Sequence, residues 1–206
     1  MLAIIQARCN SKRFKNKVLH TFLGKPIIQH VIDNVKRSKK ISKIIVATSK
    51  NKTDNKLATY LKKNKINSFR GNHLNVAQRL YYAAKKEKFK YFIRINADSP
   101  MIKTSLINKI IKLHKKNLKK KLDLVTNVFP KTFPKGQSVE ILKTSCLEKN
   151  LNKFDKKDKE HVTRYFYKNN KFFSILNLKN RETKKIFNTA IDTKQDLAVL
   201  LKKYSN

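Results

Sequence analysis

"MLAIIQARCNSKRFKNKVL", residues 1–19, joins an apolar run at positions 2–5 to a loop that holds Arg8, Lys12, Arg13, Lys15 and Lys17 within ten positions. The run reads as a first strand, residues 2–6, and is too short for the core of a signal peptide. A dense set of cations at the end of a first buried strand raises the question of which anion it holds.

Outward from this stretch, apolar runs alternate with amphipathic ones for the first 125 residues, which is the pattern of βα units on a mainly parallel sheet. Pro26 opens a helix whose buried face carries Ile27, Ile28, Val31, Ile32 and Val35. "KIIVATS", residues 43–49, is a second strand, followed by a helix over 53–63, a strand near 66–69 and a helix over 74–86 with Leu74, Ala77, Tyr81 and Ala84 at core spacing. A strand over 90–95 runs into Asn96, Ala97 and Asp98 before Pro100 forces a turn. A helix through Leu106, Ile110 and Leu113 leads to the strand "LDLVTN". Beyond Phe129 the alternation fades into "FPKTFPKGQSVEIL", where two of the four prolines and the last glycine gather. This marks a different module, a hairpin or an insertion over the sheet edge. A helix near 161–167, a strand near 173–178 and "NTAIDTKQDLAVLLKK" complete the chain.

The length of 206 residues and an apolar content of 40% suit one globular domain. No run is long enough to span a membrane, so a cytoplasmic location is expected. Cys9 and Cys146 match no metal spacing and read as reduced bystanders, with Cys9, inside the basic loop, the one placed where a thiol can be reactive. The formal charge of +37 invites a nucleic-acid reading. However, only eight of the 50 basic residues are Arg, and abundant Lys, Asn and Ile is what an AT-rich genome encodes. Lysines run along nearly every helix instead of forming one stripe, which disfavours nucleic acid and makes the arginines the more informative cations.

In an open parallel sheet, ligands bind where strand order switches, at the carboxyl ends of the strands. The basic loop lies there, with Asn10 and Asn16 where a tight turn calls for positive φ. Spacing alone leaves open whether it grips a polyphosphate or is a solvated charge run. Asp98 favours the former, because a carboxylate just past a buried strand needs a cation, and Mg²⁺ takes one or two carboxylates together with phosphate oxygens. Asp192, in "AIDT", is either the second such carboxylate or a helix cap. The loop with Asp98 and Asp192 describes nucleotidyl transfer, in which an acceptor oxygen attacks the α-phosphate in line and pyrophosphate departs.

Across nearly its full length the sequence resembles the cytidylyltransferases that activate acidic sugars, of the spore-coat-polysaccharide type related to the CMP-sialic acid and CMP-KDO synthetases. "QARCNSKRFKNKVL" is similar to that family's QARxGSxRxPxKxL signature, and "LGKPIIQHVID", "IIVATS", "FRGN", "RINADSP", "TFPKGQSVEI", "EHVTRY" and "AIDTKQDL" follow in the same order. The resemblance implies an α/β nucleotide-diphospho-sugar transferase fold: a Rossmann-like, mainly parallel sheet with helices on both faces and a smaller C-terminal β/α insertion. It implies one domain over 1–206, with residues from about 128 to 180 as a sugar-binding and dimerisation module, and it implies CTP, an acidic 2-keto sugar, Mg²⁺ and a homodimer.

By the same resemblance Arg8, Ser11, Arg13 and Lys17 bind the triphosphate, with Gln6 and Ala7 beside them, and Arg13, Lys17 and Asp98 are the catalytic set. Asp98 and Asp192 are the metal ligands. Ala47, Thr48, Arg70 and Gly71 border the nucleoside, while Gln137, Glu140, Glu160 and His161 face the sugar. The sequence departs from the family at Asn10 for Gly, at Lys15 and Asn16 for Pro-Gly, and at Lys135-Gly136-Gln137-Ser138-Val139-Glu140, where relatives often read DGLDVE. Arg164 stands where Pro is commoner and offers an anion contact for an acceptor carboxylate. Two rival readings remain. One is a metal-dependent glycosyltransferase of similar fold, disfavoured because Asn96 occupies the first position of the expected Asp-x-Asp. The other is a basic nucleic-acid-binding protein.

Overall fold

A computed structural model describes residues 1–180 and 187–205. Its first strand, β1 (Leu2–Gln6), is buried on both sides. Ala3 and Ile5 enter one core, while Leu2 and Ile4 enter the other. A strand covered on both faces has no polar side, and its sequence therefore reads as an uninterrupted apolar run.

After the basic loop a short antiparallel hairpin forms from β2 (Thr21–Phe22) and β3 (Lys25–Pro26). Its turn places Leu23 and Gly24 at φ 44° and 78°. The chain then alternates through α1 (Ile27–Lys36), β4 (Lys43–Ser49), α2 (Asn55–Lys63), β5 (Ser68–Gly71), α3 (Val76–Lys86), β6 (Tyr91–Asn96), α4 (Thr104–Lys116) and β7 (Leu124–Thr126). It finishes with β8 (Glu140–Lys143), α5 (Thr144–Asn150), α6 (Lys156–Glu160), α7 (Arg164–Lys168), β9 (Ile175–Asn177) and α8 (Lys194–Tyr204).

The main sheet has the order β5-β4-β1-β6-β8-β7-β9. The first four of these are mutually parallel, and β8 runs antiparallel to both of its neighbours. Helices α1, α2 and α4 pack their apolar stripes on one face, and α3 and α5 pack theirs on the other. The class is therefore α/β, Rossmann-like and mainly parallel, with helices on both faces. The segment after Phe129 does not lie over the sheet edge: it feeds β8 into the sheet between β6 and β7.

Several boundaries shift for identifiable reasons. Leu74, expected in the core, is 79% exposed. It belongs to the turn before α3, which starts only after Asn75, whose side chain accepts from Gln78 N at 2.9 Å as a helix cap. The helix expected at 161–167 begins only at Arg164 as α7, because His161, at φ −103° and ψ 72°, leaves helical geometry at the end of α6, a separate short helix opened by an Asp155/Asp158 capping box.

From β1 the chain winds outward through β4 to β5 and then returns across β1 to β6, which opens a crevice beyond Gln6 and Asn96 at the carboxyl ends. A third, small core of Phe14, Phe22, Ile27, Ile191 and Leu200 fastens the basic loop to α8 beside that crevice.

Candidate active site

The backbone of the basic loop is held from below by one buried carboxylate. Asp54 accepts from Cys9 N at 2.6 Å and from Ser49 N at 3.2 Å, and also takes the Ser49 hydroxyl. Ser11 N and Asn16 N both donate to Cys9 O, at 2.9 and 2.8 Å, which curls residues 9–16 into a compact turn. Asn16 is left-handed at φ 56°, whereas Asn10 is not among the positive-φ residues. Cys9 is buried, and burial together with the Asp54 charge pushes its thiol up to about 11, so the loop does not activate it.

The turn delivers Lys17 inward. Its side chain is 11% exposed, and its Nζ donates to Asp98 Oδ2 at 2.8 Å and to Asp192 Oδ1 at 2.9 Å. The two aspartates, far apart in sequence, are tied by the backbone bond from Ile191 N to Asp98 O, 2.9 Å. Thr193, not Asp192, caps α8, with Asp196 closing the capping box, so the Asp192 carboxylate is free to face the loop. Lys135 Nζ lies 2.6 Å from Asp192 Oδ2, and Arg13 Nη2 lies 3.3 Å from its Oδ1. Burial alone would raise the pKa of Asp192, but hydrogen bonds and charge from Lys135 and Lys17 outweigh it and hold the carboxyl well below the usual range.

Gly136 places Lys135 there. It sits at φ +91° against the Thr189–Ala190 backbone, where a Cβ would come within 2.5 Å of Ala190 N, so the segment before β8 and the segment before α8 touch directly.

A cavity of about 350 Å³ opens over these groups. It is bordered by Gln6, Ala7, Arg8, Ser11, Arg13 and Lys17 from the loop, by Asn96, Asp98 and Ser99 from the end of β6, and by Ser138, Glu160, His161 and Asp192. Six cations, Arg8, Arg13, Lys17, Arg79, Arg94 and Lys135, face three carboxylates in its wall. Arg8 Nη2 is 2.5 Å from Glu160 Oε1, and this pairing holds Glu160 below the ordinary carboxyl range.

Several expected site residues lie elsewhere. Ala47 and Thr48 are fully buried in β4 behind the wall, with Ala47 O accepting from Ala7 N at 3.1 Å. Arg70 and Gly71 border a separate depression with Phe69 and Tyr82, and Arg70 is committed to Ser49 O, Asn51 O and Asn55 Oδ1. Gln137 is buried and braces its loop, donating to Met101 O at 2.7 Å and accepting from Lys103 N at 3.0 Å. Glu140, on β8, faces the interior, where it pairs with Arg94 and accepts from Tyr167 Oη at 2.5 Å. The Arg164 side chain does not border the cavity. It pairs with Asp155 and Asp158, the capping acids of α6.

Three cavity residues lie outside the expected set: Lys135, noted only as a departure from the family pattern, Arg94, a charge inside a buried strand, and Arg79, an arginine on the buried face of α3.

The donor set suits Mg²⁺. Asp98 and Asp192 each direct a carboxylate oxygen at one cationic centre, the Lys17 ammonium, and hard oxygen ligands beside a cation-lined space for phosphates are what that ion requires. Among the described residues no cluster of three or more His, Cys, Asp or Glu forms a rival site.

A switch-point crevice with a cation-rich first loop and two converging aspartates is the architecture of a nucleotidyltransferase. The sequence matches the cytidylyltransferase family over residues 2–205, and the chain belongs to that family, whose members are nucleotidyltransferases that use CTP. It is 35% identical over 204 residues to an uncharacterized protein of Methanocaldococcus jannaschii, covering 98% of this chain and 82% of that protein. It is 29% identical over 111 residues to a 3-deoxy-manno-octulosonate cytidylyltransferase of Geobacter sulfurreducens, which is 53% of this chain and only 43% of that relative's length. A solved cytidylyltransferase from Leptospira borgpetersenii serovar Hardjo-bovis shares 28% identity and superposes with a TM-score of 0.92, covering 98% of this chain and 85% of that one.

Proposed function

We propose that this protein transfers CMP from CTP to an acidic 2-keto sugar, with release of pyrophosphate, for the synthesis of a cell-surface polysaccharide. The observation that carries the reading is the meeting of Asp98 and Asp192 on the Lys17 ammonium at the floor of a cavity walled by six cations.

In this mechanism the triphosphate lies along the basic loop, where Arg8, Ser11, Arg13 and Lys17 neutralise and orient it. Asp98 and Asp192 hold Mg²⁺, which when bound supplies charge neutralisation at the α-phosphate and lowers the pKa of the acceptor hydroxyl. The acceptor oxygen forms a bond to the α-phosphorus, the bond from that phosphorus to the β-bridging oxygen breaks, and pyrophosphate carries away the electron pair while the hydroxyl proton passes to solvent. Lys17, already poised over both carboxylates, moves onto the phosphates as they arrive, so the site exchanges one set of ion pairs for another without leaving a charge bare. Lys135, Ser138, Glu160 and His161 border the acceptor, and Lys135 supplies a cation for its carboxylate. Among the described residues no side chain stands out as a general base, and orientation and electrostatics are the means of acceleration those residues supply.

We place this activity in the cytoplasm; among the described residues no helix is long and apolar enough to cross a membrane. Segment 128–180 serves acceptor binding and pairing of two copies.

The test is incubation of the purified protein with CTP, Mg²⁺ and a panel of 2-keto sugar acids. Pyrophosphate release with one of them, together with thermal stabilisation by CTP, is expected. No pyrophosphate from any acid and no shift in Tm with CTP would sink the reading.

A further inference from the structure

A second concentration of cations lies at the sheet edge opposite the crevice. A helix that joins two parallel strands starts at their carboxyl edge and ends at their amino edge, so the last turns of α1 and α4 both arrive there. The end of α1 carries Lys36, Arg37, Lys39 and Lys40, all exposed. The end of α4 runs into Lys115, Lys116, Lys119, Lys120 and Lys121, exposed as well. Two observations join the sets. Ser38 Oγ donates to Asn108 Oδ1 at 2.6 Å and ties α1 to α4. The Met1 ammonium, at the start of β1, donates to Lys40 O at 3.4 Å, and its pKa is lowered by burial and by the charge of Lys115. Since β1 is five residues long, this edge lies roughly 15 Å from Gln6 and the crevice.

These charges are unmatched. From Ser99 to Leu122 the chain holds eight lysines and no acid. The acids on or beside α1 and α4 are taken by other lysines: Asp33 pairs with Lys25 at 3.2 Å and Asp123 with Lys143 at 3.9 Å. Like charges crowded at one edge repel one another and raise a positive potential that a covering anionic surface relieves. Amid them Leu118, which opens a single turn after α4, is 56% exposed.

We infer that this edge docks on an anionic phospholipid bilayer, with its lysines spread over the headgroups and Leu118 entering the apolar layer beneath them. Three features select lipid over a polynucleotide. All of these cations except Arg37 are lysines, compact point charges that suit a diffuse sheet of headgroups, whereas the guanidinium is the group that forks onto a single phosphate. An exposed leucine among the charges has a partner in a bilayer and none along a sugar-phosphate backbone. The exposed aromatics Tyr82 and Phe172 lie on other elements, so no stacking platform for bases accompanies the lysines. Docked in this way, the protein turns its crevice away from the membrane, because the crevice lies beyond Gln6 and Asn96 at the other end of the strands. The docking is independent of the reaction proposed for that crevice.

The experiment is co-sedimentation of the purified protein with vesicles of equal parts phosphatidylglycerol and phosphatidylcholine and with vesicles of phosphatidylcholine alone, alongside filter binding to duplex DNA. The wild type is expected to bind the anionic vesicles and not the neutral ones. An edge variant, Lys116→Gln with Lys119→Gln and Lys120→Gln, should bind them on the order of a hundredfold more weakly, about fivefold for each lysine near the surface. A control variant, Lys149→Gln with Lys153→Gln and Lys156→Gln, removes three exposed lysines from the segment α5 to α6 on the other face of the sheet and should stay close to the wild type. Leu118→Ser should weaken vesicle binding about tenfold, the scale of burying most of a leucine, and leave DNA binding unchanged. All of the substituted side chains are exposed, so the variants keep the fold. No binding of the wild type to anionic vesicles overturns the inference. Equal losses in the edge and control variants reduce the effect to net charge and overturn it too. Vesicle binding indifferent to Leu118→Ser, or a hundredfold loss of DNA binding in the edge variant, makes the edge a general polyanion surface and likewise overturns it.

Discussion

Lys17 with Asp98 and Asp192, and Arg94 with Glu140 and Tyr167, are two cation–carboxylate clusters within one fold that differ in how their charges are matched. Asp192 has three cations on it, Arg13, Lys17 and Lys135, and Asp98 is 26% exposed towards the cavity. Glu140 has one cation and one tyrosine hydroxyl, and its side chain is 3% exposed. The first cluster holds a surplus of positive charge that an incoming polyanion can take over. The second is matched one to one, with Arg94 also donating to Gln6 Oε1 at 2.9 Å, so that although Arg94 borders the cavity the cluster holds no surplus charge to exchange. Burial and stoichiometry, not residue type, separate a site that binds from a pair that braces the sheet.

The largest effect is expected where that difference is broken outright. Glu140→Ala strands the buried Arg94 charge and should cost about 3–5 kcal/mol of stability, the usual penalty for removing one partner of a buried pair; denaturant unfolding measures it. A loss below about 1 kcal/mol would mean that the second cluster is as adaptable as the first.

Asp98→Asn should leave folding nearly unchanged and lower kcat at saturating CTP on the order of 100-fold, because its charge matters most as the phosphate's charge redistributes in the transition state. Steady-state kinetics tests this, and a pure KM effect would contradict it. Lys17→Ala should weaken CTP binding roughly tenfold, the value of one charge-assisted contact, as calorimetry would register. Unchanged affinity would show that Lys17 never leaves the aspartates.

The smallest effect is on acid stability. The folded pKa of Asp192 is depressed, so its contribution is fully present above the unfolded carboxyl value of about 4 and is lost as pH falls below it towards the folded value. Thermal melts of the wild type and Asp192→Asn should therefore converge as pH is lowered below about 4. Parallel curves would mean that the surrounding cations do not stabilise the carboxylate.

The alternation of strands and helices was legible because apolar periodicity reports burial locally: β1 and the Ile44–Ala47 stretch of β4 run apolar, and β6 is interrupted only by Arg94 before its terminal Asn96. The basic loop and Asp98 were legible for a related reason, as polar groups placed just past such strands. Less legible were Gln137 and Glu140. Nothing in "KGQSVE" distinguishes a side chain that faces a ligand from one that braces a loop or completes an interior ion pair, since strand twist and the insertion of β8 between β6 and β7 determine which way each points.

By itself, then, the order of residues determined the βα architecture, the family and the cation-rich first loop, because each depends on neighbours within a few positions or on ordered motifs. Only the tertiary structure decided that Asp98 and Asp192 share one ammonium and that Lys135 joins them. Those facts depend on where separate segments meet, and long-range electrostatic matching leaves no local periodicity from which to read it.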